Sequence, residues 1–188
     1  MPNDFIVSLA LGLGLATAVG FRVFLPLFIL GIGVHWGWAP ATSGFEWVGS
    51  TPALLMFAIA AVVEIITFYV PFLDNALSVI AAPVAIAAGI SVMVMALSDA
   101  PPMLKWTLAI IAGGGAAAAT HGATSLLRGA SSVATIGVGN HLISTGEIIA
   151  AIVMSVLAVS APYIVLAVVA IVMIVVVRRW RMKRATGA

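Results

Sequence analysis

The sequence predicts an all-α polytopic membrane protein, with six transmembrane helices forming an inverted 3+3 repeat whose first and fourth helices are broken at glycine. Three observations predict it. The chain of 188 residues is 63% hydrophobic and only 7% charged, whereas a soluble domain carries about a quarter charged residues. The tripeptide Glu-Ile-Ile occurs at Glu64-Ile65-Ile66 and again at Glu147-Ile148-Ile149, each followed by an Ala-Pro, Ala82-Pro83 and Ala161-Pro162. Each copy also follows a long apolar segment interrupted by glycine, with Gly20 in the first half and Gly122 in the second. A unit with an odd number of spans turns over when it is repeated in one chain. The result is an inverted repeat, an arrangement typical of membrane transporters.

Roughly 20 apolar residues are needed per crossing, and six segments meet that requirement. The first, 4–34, is too long for one straight crossing and holds Gly12, Gly14, Gly20, Pro26, Gly31 and Gly33. The second, 52–70, is closed by Pro71, with Phe72-Leu73-Asp74 as a turn. The third, 76–97, carries Pro83 in its first turns. The fourth, 102–127, is interrupted by Gly113-Gly114-Gly115 and Gly122. The fifth and sixth are 144–159 and 162–177. The first repeat is then 1–100, the second 101–177, and 178–188 a basic tail. The fifth span is short, and 131–141 before it reads as a cytoplasmic loop, with a re-entrant segment as the alternative.

Charge and aromatic placement orient this scheme. The pI near 9.5 does not imply nucleic-acid binding, because five of the eight basic residues are Arg178, Arg179, Arg181, Lys183 and Arg184. A basic run directly after an apolar helix marks the cytoplasmic side, and six spans put both termini there. Met1-Pro2-Asn3-Asp4 lacks the positive start of a cleavable signal, so the first segment is expected to remain as a span. The outer loop between the first two spans has no Lys or Arg. Arg128 is assigned to the cytoplasmic side and Lys105 to an outer interface. Trp36, Trp38, Trp47, Trp106 and Trp180 all fall at expected interfaces, where the ring is buried and the N–H stays wet. The expected location is a cell inner (plasma) membrane.

The candidate site consists of ionisable and small residues inside these apolar runs. Arg22 and Glu64 lie well within the first and second segments, His121 within the fourth, and Glu147 near the start of the fifth. An ionisable group at the membrane centre costs about 2.5–3.5 kcal/mol even on the lenient insertion scale, so such groups must pair, face protein or line water. Arg22 and Glu64 therefore read either as a structural ion pair or as the lining of a substrate or ion pathway. Matching Gly122 to Gly20 puts Thr124 in the slot of Arg22 and His121 one turn away, where a histidine beside a carboxylate suits proton coupling. Its commoner role is a hydrogen-bonded packing residue. His35 and His141 read as solvated loop residues. Spacings such as Ala16-to-Gly20, Gly115-to-Ala119 and Ala118-to-Gly122 allow close helix approach. An actual break near Gly20 or Gly113-Gly115 would instead expose backbone groups that bind ions.

Ala18-Val19-Gly20-Phe21-Arg22-Val23-Phe24-Leu25-Pro26, Glu64 with Val70-Pro71-Phe72-Leu73-Asp74, and Thr120-His121-Gly122 together resemble the bacterial inner-membrane family catalogued as domain of unknown function 4126. The similarity covers nearly the whole chain, and Gly-x-Arg-x-x-x-Pro and Pro-x-x-Asp are its more specific elements. The resemblance implies an acidic residue one turn after the glutamate, where this chain has Phe68. It implies a compact helical membrane protein and no particular substrate.

Three function classes follow. The first is a transporter or channel for a small solute or ion, with its polar site between the repeats. The second is a non-transporting subunit or scaffold whose buried charges serve helix packing. The third, an intramembrane enzyme, has least support: there is no cysteine, no HExxH-type spacing and no nucleophile–base pair. No cofactor is expected. The expected partners are the lipid bilayer and a small solute or ion, and small-residue faces favour a homodimer.

Overall fold

A computed structural model describes residues 2–39, 44–69, 71–97, 99–135 and 139–186. Side chains of 71–79, and those of Arg179, Trp180, Arg181, Lys183 and Arg184 in the tail, lie outside the description, as do residues 136–138 of the expected loop. The expectation for the Trp180 side chain falls there.

The described residues form helices only. They are α1 (Pro2–Phe21), α2 (Phe24–His35), α3 (Thr51–Phe68), α4 (Pro71–Ala96), α5 (Pro102–Leu108), α6 (Gly115–Thr135), α7 (Asn140–Ser160) and α8 (Pro162–Thr186). A 3-10 turn, Glu46–Gly49, precedes α3, and a π-helical turn, Ala109–Gly114, joins α5 to α6 in one continuous rod. Three helices are long and apolar enough to cross a membrane: Thr51–Phe68, Pro102–Ala134 and Asn140–Ser160. Phe5–Phe21, Ile80–Ala96 and Pro162–Ile171 are shorter apolar helices.

α1 is the centre of the molecule. A helix that is apolar all round belongs in an interior, and most of α1 from Ala10 onward is buried, with Ala10, Leu15, Ala16, Ala18 and Val19 fully enclosed. It packs against α4, α6, α7 and α8. Three of its glycines set these approaches: Gly12 meets Met93 and Ala96 of α4, Gly14 meets Ala158 of α7 and Val165 of α8, and Gly20 meets Ala117 and Thr120 of α6. Gly89 of α4 meets Gly113 of the π turn in the same way. Of the proposed small-residue contacts on α6, those of Gly115 and Gly122 do not form. Neither glycine has an atom of another segment within 4 Å of where a Cβ would be.

The break in the first segment falls at Arg22-Val23, after Gly20, and Pro26 accounts for it. A proline clashes with the carbonyl four residues earlier, here that of Arg22, and cannot donate to it. The helix restarts at Phe24, which leaves Pro26 in the first turn of α2, where a missing N–H costs nothing. In the fourth segment the glycines mark a π turn, a local widening that leaves the rod continuous. Three other boundaries also differ from expectation. Pro71 opens α4 where a turn was expected, and Pro83 lies deep inside α4, well past its first turns. Helix continues through 131–135 and resumes at Asn140, so His141 belongs to α7. Basic residues 178–186 extend α8.

The surface is inverted relative to a soluble protein. Leu55, Ile59, Val62 and Ile66 on α3, Ile152 and Val156 on α7, and Ile164 and Ile171 on α8 are all exposed, while Arg22, Glu147, Ser144 and Ser155 are buried. Trp36, Trp38, Trp47 and Trp106 are exposed as well. A half-turn relating the two halves would match α1–α8 packing with α4–α6 and α2–α3 with α6–α7, and all four contacts exist. It would also match α1–α7 with α3–α6, yet among the described residues α6 has no comparable packing on α3.

Candidate functional site

The break at Arg22 creates the site. Interrupting α1 frees the backbone N–H groups that begin α2, and a helix start attracts negative charge. Glu64, on α3, supplies it: Val23 N–H donates to Glu64 Oε1 at 2.7 Å and Phe24 N–H to Oε2 at 3.0 Å. Both carboxylate oxygens therefore hold the broken backbone. Glu64 thus caps the broken backbone while its charge still acts with that of Arg22.

Arg22 also reaches α7. It is 1% exposed; its Nη2 lies 3.0 Å from Glu147 Oε2 and donates to the Ser144 carbonyl at 3.4 Å. Arg128, on α6, closes on the same carboxylate. Its Nε donates to Glu147 Oε1 at 2.9 Å and its Nη2 to Oε2. One glutamate thus bridges two guanidiniums from two other helices. The Phe68 ring lies beneath both, 3.8 Å from Arg22 Cζ and 4.5 Å from Arg128 Cζ, a cation–π arrangement that favours desolvated guanidinium. Phe68 stands where the resemblance implied an acid, and it holds the arginines by its ring face.

A cavity of about 10 Å³ adjoins this bridge, lined by Phe21, Phe68, His121, Thr124, Ser125, Arg128 and Glu147. It has room for about one water. The His121 side chain is directed at the Gly20 backbone, and Thr124 Oγ1 donates to the His121 carbonyl at 3.0 Å. Ser144 is fully buried, and among the described residues its hydroxyl has no hydrogen-bond partner. Of the residues expected from sequence, Arg22, Glu147, His121 and Thr124 converge here, with Gly20 as the close α1–α6 crossing beside them. Glu64 acts one step away, on the backbone. Gly122 is next to His121 but meets no other segment.

Arg128, Phe68, Ser125 and Ser144 were missed. Arg128 sits near a span end, where basic residues ordinarily face the cytoplasm, but a signal was available. With Gly122 matched to Gly20, Arg128 takes the slot of Pro26. The first half therefore offers its glutamate a broken helix end, and the second offers an arginine on an unbroken helix. His35 is exposed, as expected, and its Nδ1 lies 2.7 Å from the Gly49 carbonyl oxygen. His141 is also exposed, 5.8 Å from the Tyr69 ring.

A family model matches residues 9–182. The chain belongs to the family described as Domain of unknown function (DUF4126). No curated protein and no solved structure matches it. In this DUF4126 member the Gly-x-Arg-x-x-x-Pro element has a geometric meaning. Gly20 lets α6 approach, Arg22 reaches Glu147, and Pro26 frees the N–H groups that Glu64 holds.

Proposed function

We propose that this protein is an integral membrane transporter or channel for a small solute or ion, with its polar site between two inverted three-helix repeats. The observation that carries the reading is the Arg22–Glu147–Arg128 bridge on the wall of a cavity that also holds His121, Thr124 and Ser125. In a chain only 7% charged, Arg22, Glu64, Arg128 and Glu147 meet in the interior. Intramembrane ionisable groups of this kind mark ion and substrate paths. In this reading 1–100 and 101–177 are the repeats, Glu64 and Glu147 hold equivalent slots, and the protein crosses a bacterial inner membrane with both termini cytoplasmic. The chain works without a cofactor, and homodimers form through small-residue faces.

The scaffold alternative has one observation in its favour: Arg22 is wholly enclosed, as a packing residue would be. Flux separates the two. Proteoliposomes of the purified chain should swell in iso-osmotic sodium, potassium, chloride or formate salts faster than empty vesicles do. Glu147→Gln and Arg128→Gln should each slow that flux roughly tenfold or more, equivalent to about 1.4 kcal/mol of barrier. Leu55→Ala, on the lipid side of α3, should leave it unchanged. Folded protein with no flux for any salt would favour the scaffold.

A further inference from the structure

We propose that Glu147 holds the place of a small monovalent anion, such as chloride or formate, and that this anion enters between Arg22 and Arg128 only as Glu147 takes up a proton. The inference rests on the transport reading of the same cavity and adds its substrate class and coupling ion.

The argument starts from what the two repeat glutamates do. Each fills an anion hole with its own carboxylate, Glu64 at the N–H groups of Val23 and Phe24 and Glu147 between two guanidiniums. Only the second hole opens on the cavity. Guanidinium groups donate and never accept, and Phe68 covers a face of each. Their in-plane N–H edges meet the Glu147 carboxylate, and such edges also suit small oxyanions and halides. Thr124 and Ser125 line the same cavity. The cavity has room for about one water, too little for an anion while Glu147 is in place. Protonation of Glu147 removes its charge and weakens its hold on both arginines, so the side chain can yield the position.

Charge is conserved throughout. The site gains one proton on the Glu147 carboxyl and one anion at the guanidiniums, and its net charge does not change. The charged and titratable groups that face Glu147 are Arg22 from α1, Glu64 from α3, and His121 and Arg128 from α6. His121 lines the cavity beside Glu147 and is the group placed to pass the proton.

Isothermal titration of the full chain in nanodiscs with sodium chloride and sodium formate, run in two buffers of different ionisation heat, measures anion binding and proton uptake together. Wild type should take up one proton per anion bound. Glu147→Gln should bind the anion with no proton uptake, and Arg128→Gln should lose anion binding at least tenfold. Because the wild-type stoichiometry is decisive alone, misfolding of a variant cannot rescue the idea. Anion binding without proton uptake in the wild type, or no binding of either anion, overturns it. If vesicle swelling shows flux of a cation salt while this titration fails, only the anion–proton pairing is lost. If no salt moves at all, the transport reading falls with it.

Discussion

Removing the Glu147 carboxylate would strand two guanidiniums in the interior, whereas removing Arg128 would leave the carboxylate still held by Arg22. Deleting one partner of a buried pair costs about 3–5 kcal/mol. Glu147→Ala should therefore destabilise the fold by roughly that amount, and Arg128→Ala by less, because it is partly exposed and its loss leaves one pair intact. The double variant should fall short of the sum by about 0.5–3 kcal/mol, as read by unfolding in mixed micelles. Additive losses would show that the two side chains do not share the bridge. At this scale the sequence revealed which residues are out of place in lipid, but not their pairing. Arg22 and Glu64 stand out as charges in apolar runs, yet the pairing depended on Pro26, which frees two N–H groups and so draws Glu64 to the backbone. Arg128 was hidden because an arginine near a span end has an ordinary explanation.

Among the elements, α1 depends on side chains it lacks. A Cβ on Gly20 would lie 2.5 Å from Thr120 Cβ and 2.7 Å from the Ala117 carbonyl oxygen, whereas one on Gly122 would meet nothing within 4 Å. Gly20→Leu should push α1 and α6 apart and cost about 1–3 kcal/mol through overpacking, while Gly122→Leu should be tolerated. Thermal stability in detergent checks the contrast, and equal effects at both sites would contradict the α1–α6 crossing. Glycine spacing alone could not have distinguished the two positions, because it says where backbones can approach and not which face is turned inward. It misplaced the first break for a related reason. Glycine permits a bend, but Pro26 imposes one.

Among the described residues, apolar side chains cover much of the surface while Arg22 and Glu147 are buried, and composition alone made the membrane class legible. The proposed inverted repeat has sequence correspondence and part of the packing in its support: α1–α8 and α4–α6 match, while α1–α7 has no α3–α6 counterpart among the described residues. The gap is next to the cavity, whose wall includes Phe68 of α3 and His121 of α6. An inward-facing charge cluster has a functional role in transport only if water reaches it. The chain has no cysteine, so single cysteines can report access without background. Thr124→Cys and Ser125→Cys, treated in intact vesicles with a small membrane-impermeant thiol reagent, should be modified from one side of the membrane, while Ile59→Cys on the lipid face stays inert. Failure of both cavity cysteines to react from either side would mean a dry, purely structural cluster and would contradict the transport reading.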